Sequence, residues 1–254
     1  MKRAEKVVLP LITFTLLALA WQVTASSGLF SRNLFPPLQD IVNGGLELIR
    51  GGQVWQDIGV SLFRFLAGYI AAALLAIPLG LLFGWYSRLW IAVDPLVQVL
   101  RPISPIAWFP LISLWFGIGD LPAVVIIFIA AFYPILLSTV AAVRNVDPVY
   151  LKVARNFGAG EGNILWKVVI PAAFPFITMG LHIALGSAWV FLVAGEMLGV
   201  RSGLGYLIVD SRNYLRTDLV MVGIIIIGIL GLLLDKLIGF IEHWVQGQWG
   251  VAKR

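Results

Sequence analysis

Few residues in this 254-residue chain could carry out a reaction, and their spacing argues against one. Cysteine is absent, which removes disulfides, thiolate nucleophiles, iron–sulfur clusters and Cys-ligated zinc. The two histidines, His182 and His243, make neither a metal cluster nor a haem pair by spacing. Ser187 follows His182 by five residues, which on one helix presents the pair poorly for proton transfer, so an intramembrane serine hydrolase is a weak reading. The run Gly158-Ala159-Gly160-Glu161-Gly162 lacks the Lys-Ser/Thr continuation of a phosphate-cradling loop. No catalytic residue, metal site or bound cofactor is therefore expected, and any ATP hydrolysis must come from elsewhere.

The remaining candidates are charges and rings set in apolar sequence. Ionisable groups within a membrane span are costly, yet long side chains near helix ends can reach the interface. At about 1.5 Å per helical residue, Arg101 lies about 9 Å past Pro95 and Arg64 about 10 Å past Asp57. At those depths snorkelling competes evenly with an ion pair or, for Arg101, a place near an anion path. Glu196 lies about 37 Å beyond Pro171, at the far end of its helix. It reads either as a gate residue paired with Arg101, Arg201 or Arg64, or as an interfacial residue without a special role. Pro102, Pro105 and Pro110 remove backbone donors and bend a helix where it lines a cavity or finds local partners. Trp108 and Phe109 then fall near mid-membrane, as pathway lining or as plain packing. His182, about 16 Å past Pro171, reads as a packed or hydrogen-bonded residue.

Membrane helices must position these groups. With 60% hydrophobic and 12% charged residues and a mean hydropathy of +0.94, the chain holds more apolar side chains than a water-facing globule could bury. Six stretches are long enough to span: 8–25, 58–83, 96–116, 121–143, 172–199 and 219–241. All should be helices, because unpaired backbone cannot face lipid. The expected class is all-α and polytopic, one transmembrane domain over 1–254 without internal repeats. The net charge of +5 fits a basic cytoplasmic face better than nucleic-acid binding. Lys2, Arg3, Lys6, Arg88, Arg144, Lys152, Arg155, Lys167, Lys253 and Arg254 fall on one side, and Arg32, Arg50, Arg201, Arg212 and Arg216 on the other. Ten against five places both termini in the cytoplasm. The first span also has the form of a signal peptide, and its retention is expected. Leu38, Ile41, Val42, Leu46 and Ile49 recur at helical spacing and predict a short interfacial helix on the outer face.

The long cytoplasmic connection, 144–171, has the marks of structure. Asp147-Pro148 forms an N-cap and first-turn pair, and Gly158 supplies a C-terminal stop. A second short helix is expected over 161–169, ending at Pro171. Such a projecting pair serves as a lever for a partner, or lies on anionic headgroups through Lys152, Arg155 and Lys167.

The same residues resemble a known family. Lys152-Val153-Ala154, Gly158, then Val168, Ile170 and Pro171 follow the spacing of the E-A-A-x3-G-x9-I-x-L-P signature of ABC importer permeases, with Lys152 and Val153 departing from its first two positions. The segment from Leu100 through Gly119, containing Arg101, Trp108 and Phe109, is similar to the third-span motif of the nitrate, sulfonate, taurine and bicarbonate permeases. Val193-Ala194-Gly195-Glu196 running into Gly203-Leu204-Gly205-Tyr206-Leu207-Ile208 is similar as well. The resemblance implies a type I ABC importer permease fold and a bacterial inner (plasma) membrane location. It also implies a permease homodimer, an external solute-binding protein, and ATPase subunits that hold ATP and Mg and receive the 144–171 loop as a coupling helix. Arg201, Arg212 and Arg216 become docking or anion-attracting residues, and a small anion becomes the solute. An ATP-independent channel or secondary transporter is the alternative.

Overall fold

The computed structural model describes the backbone of residues 5–248 and the side chains of residues 8–240. Lys2, Arg3, Lys253 and Arg254, and the side chains of Lys6 and His243, lie outside the described residues. Helices dominate: α1 (Glu5–Ser26), α2 (Leu38–Gly51), α3 (Gln53–Trp85), α4 (Ser87–Leu100), α5 (Phe109–Phe116) and α6 (Asp120–Arg144) come first. Then come α7 (Pro148–Asn156), α8 (Glu161–Ile164), α9 (Ile170–Gly199), α10 (Leu204–Asn213) and α11 (Thr217–Gln248). Among the described residues five helices are long and apolar enough to cross a membrane, and the bent pair of α4 with the segment to Phe116 makes a sixth. The helix expected between the first two spans is α2.

The centre of the bundle is α6 packed between α3 and α9. On α3 the small residues Gly68, Ala72, Ala76, Gly80 and Gly84 recur every fourth position and are buried. On α6 the facing row is Ala123, Ile127, Ala131, Ile135, Thr139 and Val143, again every fourth residue and buried. A methyl group added at Gly80 would lie 2.5 Å from Thr139 Cβ, and one at Gly84 2.6 Å from Val143 Cβ. Side chains too small to hold the backbones apart let two membrane helices gain van der Waals contact that lipid cannot match.

The bend expected at Pro102, Pro105 and Pro110 is present and sharp: α4 starts at Ser87, ahead of the expected 96, and ends at Leu100, a 3-10 turn covers Pro105–Trp108, and the two parts are bent by 83°. Pro102, Pro105 and Pro110 cannot donate the bonds that a continuous helix needs. The helix starting at Glu161 does not stop at Pro171. It passes through a π turn, Leu165–Val169, into α9, and this wider turn stands immediately before the proline, where a regular helix would meet the ring. The stretch after span five forms a helix of its own, α10.

Helix α1 stands apart, its described apolar side chains largely exposed, and is tied near its end to the start of α2. Trp21 Nε1 donates to the Pro36 carbonyl at 2.9 Å, and the Gln22 side chain accepts from the Leu38 N–H at 3.0 Å. If the α3–α6 row holds the bundle, Gly80→Leu lowers the melting temperature in detergent sharply, at a cost of about 3 kcal/mol. Gly228→Ala, at a glycine with open space around it, leaves the melting temperature nearly unchanged.

Candidate functional site: a buried charge cluster and the 144–171 loop

Helices α3, α6 and α9 all run between two ends of the bundle, one bearing α2 and the other the 144–171 loop. At the α2 end, Arg64 of α3 is 1% exposed and Glu196 of α9 is 0% exposed. Their closest approach is 2.7 Å, from Arg64 Nη1 to Glu196 Oε1. Arg64 Nη1 also donates to the Ser202 carbonyl at 2.8 Å, and Nη2 to Ser202 Oγ at 2.7 Å and Asp120 Oδ1 at 2.6 Å. Nε donates to Asp120 Oδ1 at 2.8 Å. One guanidinium therefore joins α3, the start of α6, the end of α9 and the bend before α10.

The start of α10 completes the cluster from the other side. Three successive backbone N–H groups donate into it: Gly203 to Asp57 Oδ1 at 2.8 Å, Leu204 to Ser61 Oγ at 2.9 Å, and Gly205 to Glu196 Oε2 at 2.9 Å. Ser61 Oγ in turn lies 2.8 and 2.9 Å from the two oxygens of Glu196. The unpaired N–H groups and positive end of a helix thus face carboxylates that would otherwise be buried at high cost. This closeness requires glycine. Gly203 has φ +99°, a side chain there would strike Glu196 and Arg64, and a Cβ at Gly205 would lie 2.6 Å from the Val193 carbonyl.

At the opposite end, Asp147 caps α7 by accepting from the Val149 N–H at 2.8 Å. The helix closes at Gly158, whose φ is +76°, with the Gly158 N–H on the Arg155 carbonyl and the Ala159 N–H on the Ala154 carbonyl. Ala154, Val168 and Val169 turn inward onto a small core with Val143, Val146 and Ile164, and Ile170 and Pro171 are partly buried where α9 begins. Lys152 and Val153 face outward, as do Val149, Tyr150, Phe157 at 88% and Trp166 at 71% exposure. Arg155 and Glu161 bridge the two arms of the loop at 3.2 Å.

A chain of helices long and apolar enough to cross a membrane has known counterparts. The family of binding-protein-dependent transport system inner membrane components matches residues 52–247. The chain belongs to this family. It is 40% identical over 214 residues to a Methanocaldococcus jannaschii protein named only as an ABC transporter permease, covering 82% of this chain and 80% of that one. It is 33% identical to the taurine transport system permease protein of Escherichia coli, covering 91% and 86%. With the bicarbonate transport system permease protein of Synechococcus elongatus the identity is 35%, covering 96% and 91%. Among solved structures, the inward-facing methionine ABC transporter MetNI aligns with a TM-score of 0.57 at 19% identity, covering 80% of this chain and 95% of that one, a likeness of fold. The chain is thus a permease subunit of an ABC importer, and α1 and α2 precede the part that the family model matches.

For this permease the structure places the remaining candidates apart. Of the three arginines weighed as partners for Glu196, Arg64 is the one in contact. Arg101 lies at the bend after α4, away from the cluster, in a cavity lined also by α6 and α9. Phe109 sets its ring against Gly199 at the end of α9, and Trp108 is half-buried in the 3-10 turn. Arg201 and Arg212 are exposed, whereas Arg216 reaches Glu47 at 2.7 Å and Asp218 at 2.8 Å and so ties α2 to α11. The Arg216 guanidinium holds the Glu47 carboxyl below its ordinary range. His182 meets Asp235 of α11 at 3.1 Å, and Ser187 donates to the Ala130 carbonyl, so the two share no catalytic contact. Asp57, Ser61, Asp120 and Ser202 were not singled out in the sequence. Glycines 203 and 205 were the signal for a close backbone approach there.

Removing one member of the buried pair leaves the other uncompensated. Glu196→Ala should destabilise the detergent-solubilised permease by about 3 kcal/mol, read as a lowered melting temperature. Glu47→Gln, at a pair exposed on both sides, should cost less than about 1 kcal/mol. Equal effects from the two would contradict the cluster's central place.

Proposed function

We propose that the permease works as a homodimer in a bacterial inner membrane, both termini and the 144–171 loop in the cytoplasm, importing a small anion. The loop docks on a separate ATPase subunit, which holds ATP and Mg. An external binding protein delivers the solute at the α2 end, where exposed Arg201 and Arg212 attract it and Arg216 braces the surface it meets. The solute class is the one shared by nitrate, sulfonates, taurine and bicarbonate, in keeping with the taurine and bicarbonate relatives. This chain supplies no catalysis of its own.

The observation that carries the reading is the apolar face of the loop: Val149, Tyr150, Val153, Phe157 and Trp166 stand exposed on a capped, closed lever. Exposed apolar patches of that kind mark a partner's seat. Closure of the ATPases on ATP pushes α7, and the stiff α9, continuous with the loop, carries the displacement to Glu196. Breaking and remaking the Arg64–Glu196 cluster then opens and shuts the outer gate. Energy enters because the two conformations bind ATP and solute-loaded binding protein with different affinities.

The tagged chain purified from native membrane in mild detergent should bring down an ATPase subunit in equal proportion. Gly158→Leu, forced into a left-handed backbone that a branched side chain resists at roughly 1–2 kcal/mol, should abolish binding-protein-stimulated ATPase activity. Gly158→Asn should keep most of it, because asparagine tolerates that backbone. Normal uptake by Gly158→Leu, or uptake indifferent to ATP depletion, would favour a channel or secondary transporter instead.

A further inference from the structure

Arg101 has no carboxylate within ion-pair distance among the described residues, although Arg32, Arg64, Arg155 and Arg216 each have one. Arg144 lies over the ring of Trp90, 5.6 Å from its centroid. Other arginines without a carboxylate partner, Arg50, Arg88, Arg201 and Arg212, stand near the two ends of the bundle, where water can solvate them. Arg101 does not stand at an end. It follows the fourteen residues of α4 and, with its side chain exposed, lines a cavity whose other walls are middle turns of α6 and α9. Of the groups that line it, Tyr133 and Ser138 lie about 20 and 27 Å from the start of α6, and Ser187 about 18 Å from the end of α9, so the lining covers the middle turns of both helices. An uncompensated cation at that depth is expensive and marks a pathway or a ligand.

These residues line one cavity of about 390 Å³, formed where the bend between α4 and α5 leaves room against α6 and α9. Its polar side chains are Arg101 and the hydroxyl-bearing Tyr133, Ser138 and Ser187, with no carboxylate among the lining residues. Ser187 Oγ is 3.2 Å from the Ala130 carbonyl, long for an O–H···O bond and readily exchanged for a stronger acceptor. Apolar side chains flank the hydroxyls on the same two helix faces, Ile129 and Leu137 beside Tyr133 on α6 and Ile183 and Phe191 beside Ser187 on α9. A guanidinium and hydroxyl donors suit an oxyanion, and the apolar side chains beside them suit a short carbon body attached to it.

We infer that this cavity is a mid-membrane subsite for a small organic oxyanion of the alkanesulfonate type, its acid group on Arg101 and its carbon body against Ile183 and Phe191. The inference rests on the permease reading and narrows its solute class. It assigns selection to this chain as well as to the external binding protein.

The absence of cysteine from the chain makes a direct test available. Ser187→Cys, with Ser138→Cys as a second variant should the first fail to assemble, places a single thiol on the cavity wall of the complete transporter in membranes. The thiolate attacks a methanethiosulfonate reagent, forming a mixed disulfide and releasing methanesulfinate. The anionic sulfonatoethyl reagent should label about tenfold faster than the cationic trimethylammonioethyl reagent, as expected for a one-signed cleft. Millimolar ethanesulfonate should slow the labelling, and adding Arg101→Ala should abolish both the charge preference and the protection. Labelling that ignores Arg101, protection by nitrate but not by ethanesulfonate, or no labelling of either thiol would overturn the assignment. ATP dependence of uptake, measured on the same membranes, separates these outcomes from a failure of the permease reading, since the labelling pattern does not depend on what drives transport.

Discussion

The α2 end of this permease is organised by the need to satisfy one arginine buried in an apolar bundle. Arg64, at 1% exposure, cannot be hydrated and must find acceptors for its fork of N–H groups. It takes them from Asp120, Glu196 and Ser202, which belong to three different parts of the chain. Each choice constrains a neighbour. Glu196 needs a second donor and finds it in Gly205, so α10 must begin there. Gly203 must come within hydrogen-bond reach of Asp57, so position 203 admits no side chain. The order of helices at this end, and the angle at which α9 turns into α10, follow from that set of bonds.

The gate role proposed for this cluster rests on the balance of its charges. One guanidinium and one helix N-terminus face the carboxylates of Asp57, Asp120 and Glu196, so attraction and desolvation nearly offset each other. Asp120 is 61% exposed, which leaves the cluster open to solvent on one flank. The centre of the bundle is held differently, by the close approach of α6 to the row of glycines and alanines on α3. A close-packed middle, a charge cluster at one end and a projecting loop at the other are the parts that the proposed alternating-access cycle uses. The unbroken run from Glu161 through Gly199 joins the last two.

Much of this was legible before any coordinates. Apolar runs of sufficient length located the spans, Asp147-Pro148 and Gly158 set the limits of α7, and the periodic apolar positions from Leu38 to Ile49 foretold α2. Glu196 reads in the sequence either as half of an ion pair or as an interfacial residue, and depth along single helices cannot choose between these readings or among three arginines. That choice depends on how α3 and α9 are set against each other. The row Gly68, Ala72, Ala76, Gly80, Gly84 is a four-residue period of small residues in the sequence, a signal that hydropathy alone does not carry. Asp57, Ser61 and Ser202 carry no signal alone, since each is an ordinary residue near a helix end until the chain folds around Arg64. The π turn before Pro171 was likewise hidden, because a proline reads as a stop unless the preceding turn widens to admit it.

The central claim is that nucleotide at the loop end changes the cluster at the other end. Spin labels at Trp55→Cys on α3 and Asn213→Cys on α10, both exposed positions in an otherwise cysteine-free chain, report that distance by pulsed electron resonance. The complete transporter should show one distance distribution without nucleotide and a displaced one when ATP and loaded binding protein are trapped together, with Glu196→Gln blurring the two. Identical distributions in both states, in a labelled protein that still imports its solute, would contradict the account.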